Sequence, residues 1–211
     1  MRTPRSILVA MIPALLLLTG CADTSSDYAR LSKLVWGEFG GSTEITRDQA
    51  ASVPYATIGV RIGGSSQNLM VLATVSGEER LWLAGTDAAI TTRRGRIVQT
   101  VGFVNDLRAV TLVQEDKGVS TYLYDLVKPT IYGVLVRCVE RDMGAEPITI
   151  IGAQVQTKHI RQDCEAPSLS WSFTNELWKD PNTGYVWRSV QNTNPQADAL
   201  QIDVLRPEDA Q

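Results

Sequence analysis

Ser120-Thr121-Tyr122-Leu123-Tyr124-Asp125-Leu126 alternates with a period of two: Thr121, Leu123 and Asp125 fall on one face, Tyr122, Tyr124 and Leu126 on the other. A strand sends successive side chains to opposite faces, so this run predicts a strand with one aromatic, apolar face. Glu115-Asp116-Lys117-Gly118 precedes it and separates it from a second apolar run at 110–114, which makes the pair a hairpin. The pattern repeats in both directions. Arg93-Arg94-Gly95 separates 88–92 from 96–101, Gly63-Gly64-Ser65-Ser66 separates 55–62 from the dense apolar run 69–75, and Gly77-Glu78-Glu79 and Gly85-Thr86-Asp87 bracket 80–84. Downstream, 131–139 and 147–159 read as long strands around a turn at 142–146, and 184–191 and 199–205 complete the set. About ten short strands with turn signals every roughly 8–12 residues predict a mainly β, antiparallel sandwich or barrel-like domain.

Upstream of the strands the pattern changes. Ser26 or Asp27 is placed to cap a short N-terminal helix to about residue 36, with Tyr28, Leu31, Leu34 and Val35 on one face. A second short helix is expected over Arg47–Ser52, stopped by Pro54. With no fixed-period repeat and no Pro- or Ser-rich linker after residue 27, residues 28–211 read as one domain.

The first 20 residues read as a removable leader. Arg2 and Arg5 precede an apolar stretch at 7–18, interrupted by Pro13 and too short to span a hydrocarbon core of about 30 Å. It ends in Leu18-Thr19-Gly20-Cys21, which resembles a bacterial lipobox. That resemblance implies cleavage before Cys21 and a lipid on its thiol, with 21–27 as the lipidated tether. Ala22 follows the cysteine and Asp23 comes one place later. By resemblance to lipoproteins of Gram-negative bacteria, this implies the periplasmic face of the outer membrane.

Hydrophobic residues make up 44% of the 211-residue chain and charged residues 20%, which excludes wholesale disorder. The chain carries −3; losing Arg2 and Arg5 from 20 basic residues leaves 18 against 23 acidic ones, near −5. A generic nucleic-acid binder needs a basic face, so no nucleic acid is expected. With a single histidine, His159, multi-histidine metal centres are excluded. A site built from two cysteines and His159 lacks ligand spacing, so no metal and no cofactor are expected.

After lipidation, Cys138 and Cys164 remain. In an oxidising envelope they either pair or stay as separate thiols. Closing the loop of about 26 residues would stabilise by about 3.5 kcal/mol in the chain-entropy model. In a simple hairpin, however, the residue opposite Cys138 is near Ile151, and a straight strand carries Cys164 about 30–40 Å further on. A disulfide needs Cα atoms within about 7 Å, so pairing requires a bend, at Gly152 or around 161–163, or strands that are not hairpin neighbours.

Three of the five tryptophans lie between 171 and 187. Asp180-Pro181-Asn182-Thr183-Gly184 is a strong turn and places Trp178 and Trp187 near one another on facing strands. Trp178, Trp187 and Gln191 form a candidate glycan- or partner-binding group, because indole stacks on sugar rings and amides bond hydroxyls. The competing reading is a hairpin whose tryptophans fill the core. Arg93, Arg94 and Arg96, at a hairpin tip, form a second candidate group, for an acidic polysaccharide or an acidic partner; the alternative is a solvated loop.

Taken together, these features resemble the group 4 capsule polysaccharide lipoprotein family, often called YjbF-type. The resemblance rests on the lipobox at Cys21, Tyr55-Ala56-Thr57-Ile58, residues 69–72, and Thr92-Arg93-Arg94-Gly95-Arg96-Ile97-Val98-Gln99-Thr100-Val101-Gly102. It continues through Cys164, Asn175, Trp178, the turn at Gly184, Trp187-Arg188-Ser189-Val190-Gln191 and Pro195. It implies a mostly β lipoprotein of exopolysaccharide or capsule export, acting beside an outer-membrane barrel protein and other periplasmic partners. It carries no catalytic residues across.

Catalysis has little support in the residues. A glycosidase needs two carboxylates in a cleft; Glu176 with Asp180, and Asp163 with Glu165, are near in sequence but fall at a turn and around a cysteine. No Gly-x-Ser-x-Gly elbow accompanies His159, and no glycine-rich phosphate loop precedes a helix. The expectation is a non-catalytic accessory in exopolysaccharide or capsule assembly or export, acting through a partner protein or the polymer. The alternatives are a polysaccharide-modifying hydrolase and a purely structural envelope protein.

Overall fold

The computed structural model describes residues 44–208. The leader, the Cys21 lipid site, the tether and the helix expected from residue 27 lie outside the described residues. A short helix, α1 (Arg47–Ser52), opens the described part. Thr46 and Gln49 close it with a reciprocal capping box, each side chain serving the other residue's backbone N–H.

Fourteen strands follow among the described residues. The first five, β1 (Thr57–Ile62), β2 (Asn68–Ser76), β3 (Glu79–Ala84), β4 (Ala88–Arg93) and β5 (Arg96–Val101), form one antiparallel meander. Next come β6 (Leu107–Asp116), β7 (Val119–Leu126) and β8 (Ile131–Ala145). A small hairpin of β9 (Ile148–Ile150) and β10 (Ala153–Val155) leads to β11 (Lys158–Ala166), β12 (Trp171–Lys179), β13 (Val186–Gln191) and β14 (Leu200–Arg206). Twelve of these form one sheet in the order β5-β4-β3-β2-β1-β14-β13-β12-β11-β8-β7-β6. The last strand, β14, pairs antiparallel with the first, β1, and joins the two halves. The sheet curls into a nearly closed barrel, the barrel-like member of the expected pair of architectures.

Side-chain alternation sets the inside. On β7, Ser120, Tyr122, Tyr124 and Leu126 are buried while the intervening residues are partly exposed. Tyr122, Tyr124 and Leu126 join Ile58, Val60, Met70, Ile90, Ile97, Val136 and Ile202 in the main core. Each such side chain contributes about 1.5–3 kcal/mol relative to an exposed one. Three tight turns, Arg94-Gly95, Lys117-Gly118 and Ile151-Gly152, have both residues at positive φ. That is the twist-matched hairpin turn, and it explains why each places glycine second.

Between β5 and β6 the ring is held by side chains. Asp106 accepts from Thr100 Oγ1 at 2.9 Å and from the amides of Gly102 and Phe103 at 3.1 Å. Thr100 Oγ1 in turn accepts from the Leu107 amide. Gln191 on β13 accepts from the Ile97 amide at 3.0 Å and donates to the Gly95 carbonyl at 2.8 Å, so it satisfies backbone groups of β5 and of the turn before it.

The segment after Val139 departs from the expected pair of strands. β8 runs on through Ala145, with an irregularity opposite His159/Ile160, where the sequence suggested a turn at 142–146. The stretch 147–159 is broken into β9, β10 and the start of β11. Pro147 has no backbone N–H to continue a ladder. Glu146 and Thr157 close the neck of the excursion, with the Glu146 amide donating to the Thr157 carbonyl at 2.9 Å. Ile148 and Ile150 then pack outside the barrel with Ile45, Ala50 and Val53 from the α1 region, and with Leu69 and Leu205, in a second core. Because the hairpin is a detour, β8 and β11 are direct neighbours and Cys138 pairs opposite Cys164. The two are joined by a disulfide, with Cα atoms 4.0 Å apart.

Candidate functional site

In an antiparallel barrel alternate turns share an end. Here one end gathers the β2–β3 turn (Gly77, Glu78), the β4–β5 turn (Arg94, Gly95), the β12–β13 loop (Asp180, Thr183, Gly184, Tyr185) and the segment after β14 (Pro207, Glu208). They surround an open cleft of about 760 Å³ with a mostly apolar floor that includes Ile58, Trp82, Ile202 and Val204. Trp82 donates its indole N–H to Thr92 Oγ1 at 3.0 Å, so the floor's aromatic is anchored.

Trp187 enters this cleft through a local irregularity. Trp178 pairs with Arg188 and Lys179 with Val186, leaving Trp187 as the extra residue of a bulge. A bulge re-aims a side chain, and Trp187 lines the cleft beside Tyr185, with ring centroids 5.1 Å apart and planes at 72°. The indole N–H of Trp187 is buried without a protein hydrogen-bond partner. Burial pushes the Tyr185 phenol up to about 12, with the Glu208 carboxylate adding to the effect, so it stays a neutral donor at physiological pH. Gly95 sits at φ +79°, and a Cβ there would come 2.5 Å from Val186 Cβ, so only glycine fits where the β4–β5 turn closes against the start of β13.

The rim is charged but internally matched. Arg94 pairs with Glu78 and the neighbouring Arg93 with Glu79. Arg80 donates from Nε to Glu208 at 3.0 Å and from NH1 to the Gly77 carbonyl at 3.0 Å. Asp180 accepts from the amides of Thr183 at 2.8 Å and Asn182 at 2.9 Å, and these bonds hold its carboxyl below the usual carboxylate range. An ionised Asp180 is the opposite of what a general acid needs.

The candidate groups therefore divide. Arg94 and Trp187, nominated for separate reasons, line the same cleft. Arg93 lies beside it in its pair with Glu79. Arg96 leaves the tip and runs inward: its guanidinium sits 4.2 Å over the Tyr122 ring, faces Tyr124 Oη at 3.5 Å and bonds Gln162. Gln191 is buried in its bonds to β5 and the turn before it. Trp178 packs against the outer core, stacked on His159 with centroids 4.6 Å apart. His159 is held between Glu146 and Glu176, each 2.7 Å from one ring nitrogen. Of the carboxylate pairs considered for hydrolysis, Glu176 is thus engaged with His159 and Asp180 with its own turn. Asp163 bonds Arg161 at 2.9 Å, and Glu165 lies 3.8 Å from Arg137. Tyr185, Arg80 and Glu208 were missed as site residues because strand periodicity carries no information about which distant turns share a barrel end.

Comparison with known proteins agrees with this architecture. The sequence model described as "Group 4 capsule polysaccharide lipoprotein gfcB, YjbF" matches residues 28–205. The chain is 23% identical over 174 residues to the uncharacterized lipoprotein GfcB of Escherichia coli (strain K12), covering 77% of this chain and 81% of that one. It is 29% identical over 94 residues to the uncharacterized lipoprotein YjbF of the same organism, covering 44% of this chain and 43% of that one. Among solved structures, the hypothetical lipoprotein YmcC of Escherichia coli (K12) superposes with a TM-score of 0.67 at 20% identity, covering 79% of this chain and 91% of that one, and shares the fold. With the family matched from residue 28 to residue 205, the chain belongs to the group 4 capsule polysaccharide lipoprotein family, a family of membrane-anchored envelope lipoproteins associated with capsule polysaccharide.

Proposed function

We propose that this chain is a non-catalytic accessory of exopolysaccharide or capsule assembly and export, held by lipid on Cys21 at the periplasmic face of the outer membrane. In this reading it engages a segment of the polymer in the cleft at the barrel mouth, beside an outer-membrane barrel protein and periplasmic partners of the export system. The observation that carries the reading is the pairing of Trp187 and Tyr185 over an apolar floor, inside a rim of hydrogen-bonding groups. Aromatic faces with polar neighbours suit the C–H faces and hydroxyls of a sugar ring. The arginine partners of Glu78 and Glu208, and the turn amides on Asp180, favour holding over hydrolysis.

The test is titration of the full chain with the polysaccharide secreted by its own cells, read by tryptophan fluorescence. Saturable quenching that a Trp187→Ala variant loses, with its fold intact by circular dichroism, is expected. No response from the folded protein would overturn the polymer reading in favour of docking to a protein partner. Release of reducing ends during the titration would support the hydrolase instead. Labelling with radioactive palmitate and fractionation with the outer membrane test the anchor; a cytosolic, unlabelled chain would overturn it.

A further inference from the structure

The charge arrangement of the cleft narrows the kind of sugar it takes, provided the polymer reading above holds. We infer that the barrel-mouth cleft accommodates a neutral saccharide segment and discriminates against uronic-acid or otherwise anionic sugars. Three arginines stand at this end, and each is matched by a glutamate: Arg80 by Glu208, Arg93 by Glu79, Arg94 by Glu78. The two hairpin tips supply the match residue for residue, since Glu79 pairs opposite Arg93 in the β3–β4 ladder and Glu78 sits one step out, against Arg94. Arg80 is further occupied by the Gly77 carbonyl. Among the residues that line the cleft, Arg80 and Arg94 stand against Glu78, Asp180 and Glu208, a surplus of one negative charge. Asp180 stays ionised, because the amides of Thr183 and Asn182 hold its carboxyl low.

An acidic sugar entering here meets no uncommitted cation among the lining residues and must either break an arginine–glutamate pair or sit against Asp180. A neutral sugar needs neither. Its hydroxyls donate to the carboxylate oxygens of Asp180 and Glu208, and its ring oxygens and hydroxyls accept from the Tyr185 phenol, while Trp187 offers the apolar surface. The arginines at this rim therefore hold glutamates in place as acceptors.

The test uses oligosaccharides released from the cells' own secreted polysaccharide and separated on an anion exchanger into a neutral pool and a retained acidic pool. Each is titrated into the full chain by calorimetry and tryptophan fluorescence. The neutral pool is expected to bind, and the acidic pool to bind at least about tenfold more weakly, as like charges brought together predict. Reducing the acidic pool's carboxyl groups to alcohols should restore its binding, because the backbone is unchanged and only the charge is gone. Glu78→Gln, at an exposed hairpin tip, should free Arg94 and raise the relative affinity for the acidic pool by about fivefold or more. Acidic oligosaccharides that bind as tightly as neutral ones would overturn the charge inference and leave the polymer reading standing. If neither pool bound the folded protein, the polymer reading itself would fall, and this inference with it.

Discussion

Cys138 on β8 and Cys164 on β11 are directly paired across the ladder and covalently joined, although a hairpin of eight β9–β10 neighbourhood positions (148–155) lies between their strands in sequence. The bond therefore fastens two neighbouring strands well along their ladder from the neck at Glu146 and Thr157, where the chain leaves the barrel and returns. It also sits in the main core, with both cysteines almost fully buried.

Reducing that bond, or replacing both cysteines by alanine, is expected to lower the unfolding free energy by about 3.5 kcal/mol, the chain-entropy value for a loop of this length. Urea unfolding with and without reductant measures it. An unchanged midpoint would show that the link contributes nothing to the folded state's advantage.

Arg94 and Arg96 are two residues apart and should behave in opposite ways. Arg96→Met removes hydrogen bonds from a cation to Gln162 and Tyr124 and the contact with the Tyr122 ring, a loss of about 1.5–3 kcal/mol. Arg94→Ala removes an exposed ion pair and should change stability by less than about 0.5 kcal/mol. Thermal unfolding of the two variants side by side decides it; equal effects would contradict the inward course of Arg96.

Gln191→Leu keeps the bulk of the side chain and removes the acceptor for the Ile97 amide. Leaving that buried amide unpaired should cost about 1–3 kcal/mol. Hydrogen exchange should accelerate at Ile97 and its β5 neighbours more than at β7. Uniform acceleration across the sheet would mean that Gln191 acts only through global stability.

At high pH the Tyr185 phenol supplies a signed dependence. Its folded-state value, about 12, lies above the ordinary 10.0, so the folded protein retains a proton that the unfolded chain releases. Its contribution is fully present below pH 10 and is lost as pH rises towards 12. Tyr124, buried in the core, is also raised by desolvation and acts in the same direction. Tyr185→Phe should flatten part of this alkaline decline, followed by unfolding midpoints across the range and by tyrosinate absorbance.

At low pH the sign reverses. Hydrogen bonding from Arg161 holds Asp163 below the ordinary 3.8, and the Thr183 and Asn182 amides do the same for Asp180. Their contributions are present above the unfolded value and are lost as pH falls through the folded one. Asp163→Asn and Asp180→Asn should each make the acid limb of the stability curve shallower. An identical acid limb in both variants would place the acid sensitivity in other carboxylates.

Residues near in sequence made much of the fold legible. The alternation in 120–126 fixed β7 and its buried face, because strand periodicity is a property of consecutive residues. Arg94-Gly95 and Lys117-Gly118 marked hairpins, because positive φ is a local steric demand. The helix at Arg47–Ser52 was legible from the proline beyond it, and the structure adds the Thr46 cap that starts it. The segment 147–159 misled because its apolar residues Ile148, Ile150, Ile151 and Val155 serve the second core rather than the main one, and periodicity alone does not say which core a strand faces. The site was legible only in part: Trp187 and Arg94 were nominated, but the bulge that aims one and the salt bridge that occupies the other involve partners on other strands.

By itself, then, the sequence determined the β class, most hairpins and the short helix, since each rests on interactions within a few residues, and it carried the family likeness in motifs spread along the chain. Tertiary structure alone decided that β14 closes on β1, that Cys138 meets Cys164, that Arg96 turns inward while Arg94 stays out, and that Trp187, Tyr185 and Glu208 share one barrel mouth. Those outcomes depend on which distant strands become neighbours, and a choice among non-local pairings is made by the packing of the whole barrel.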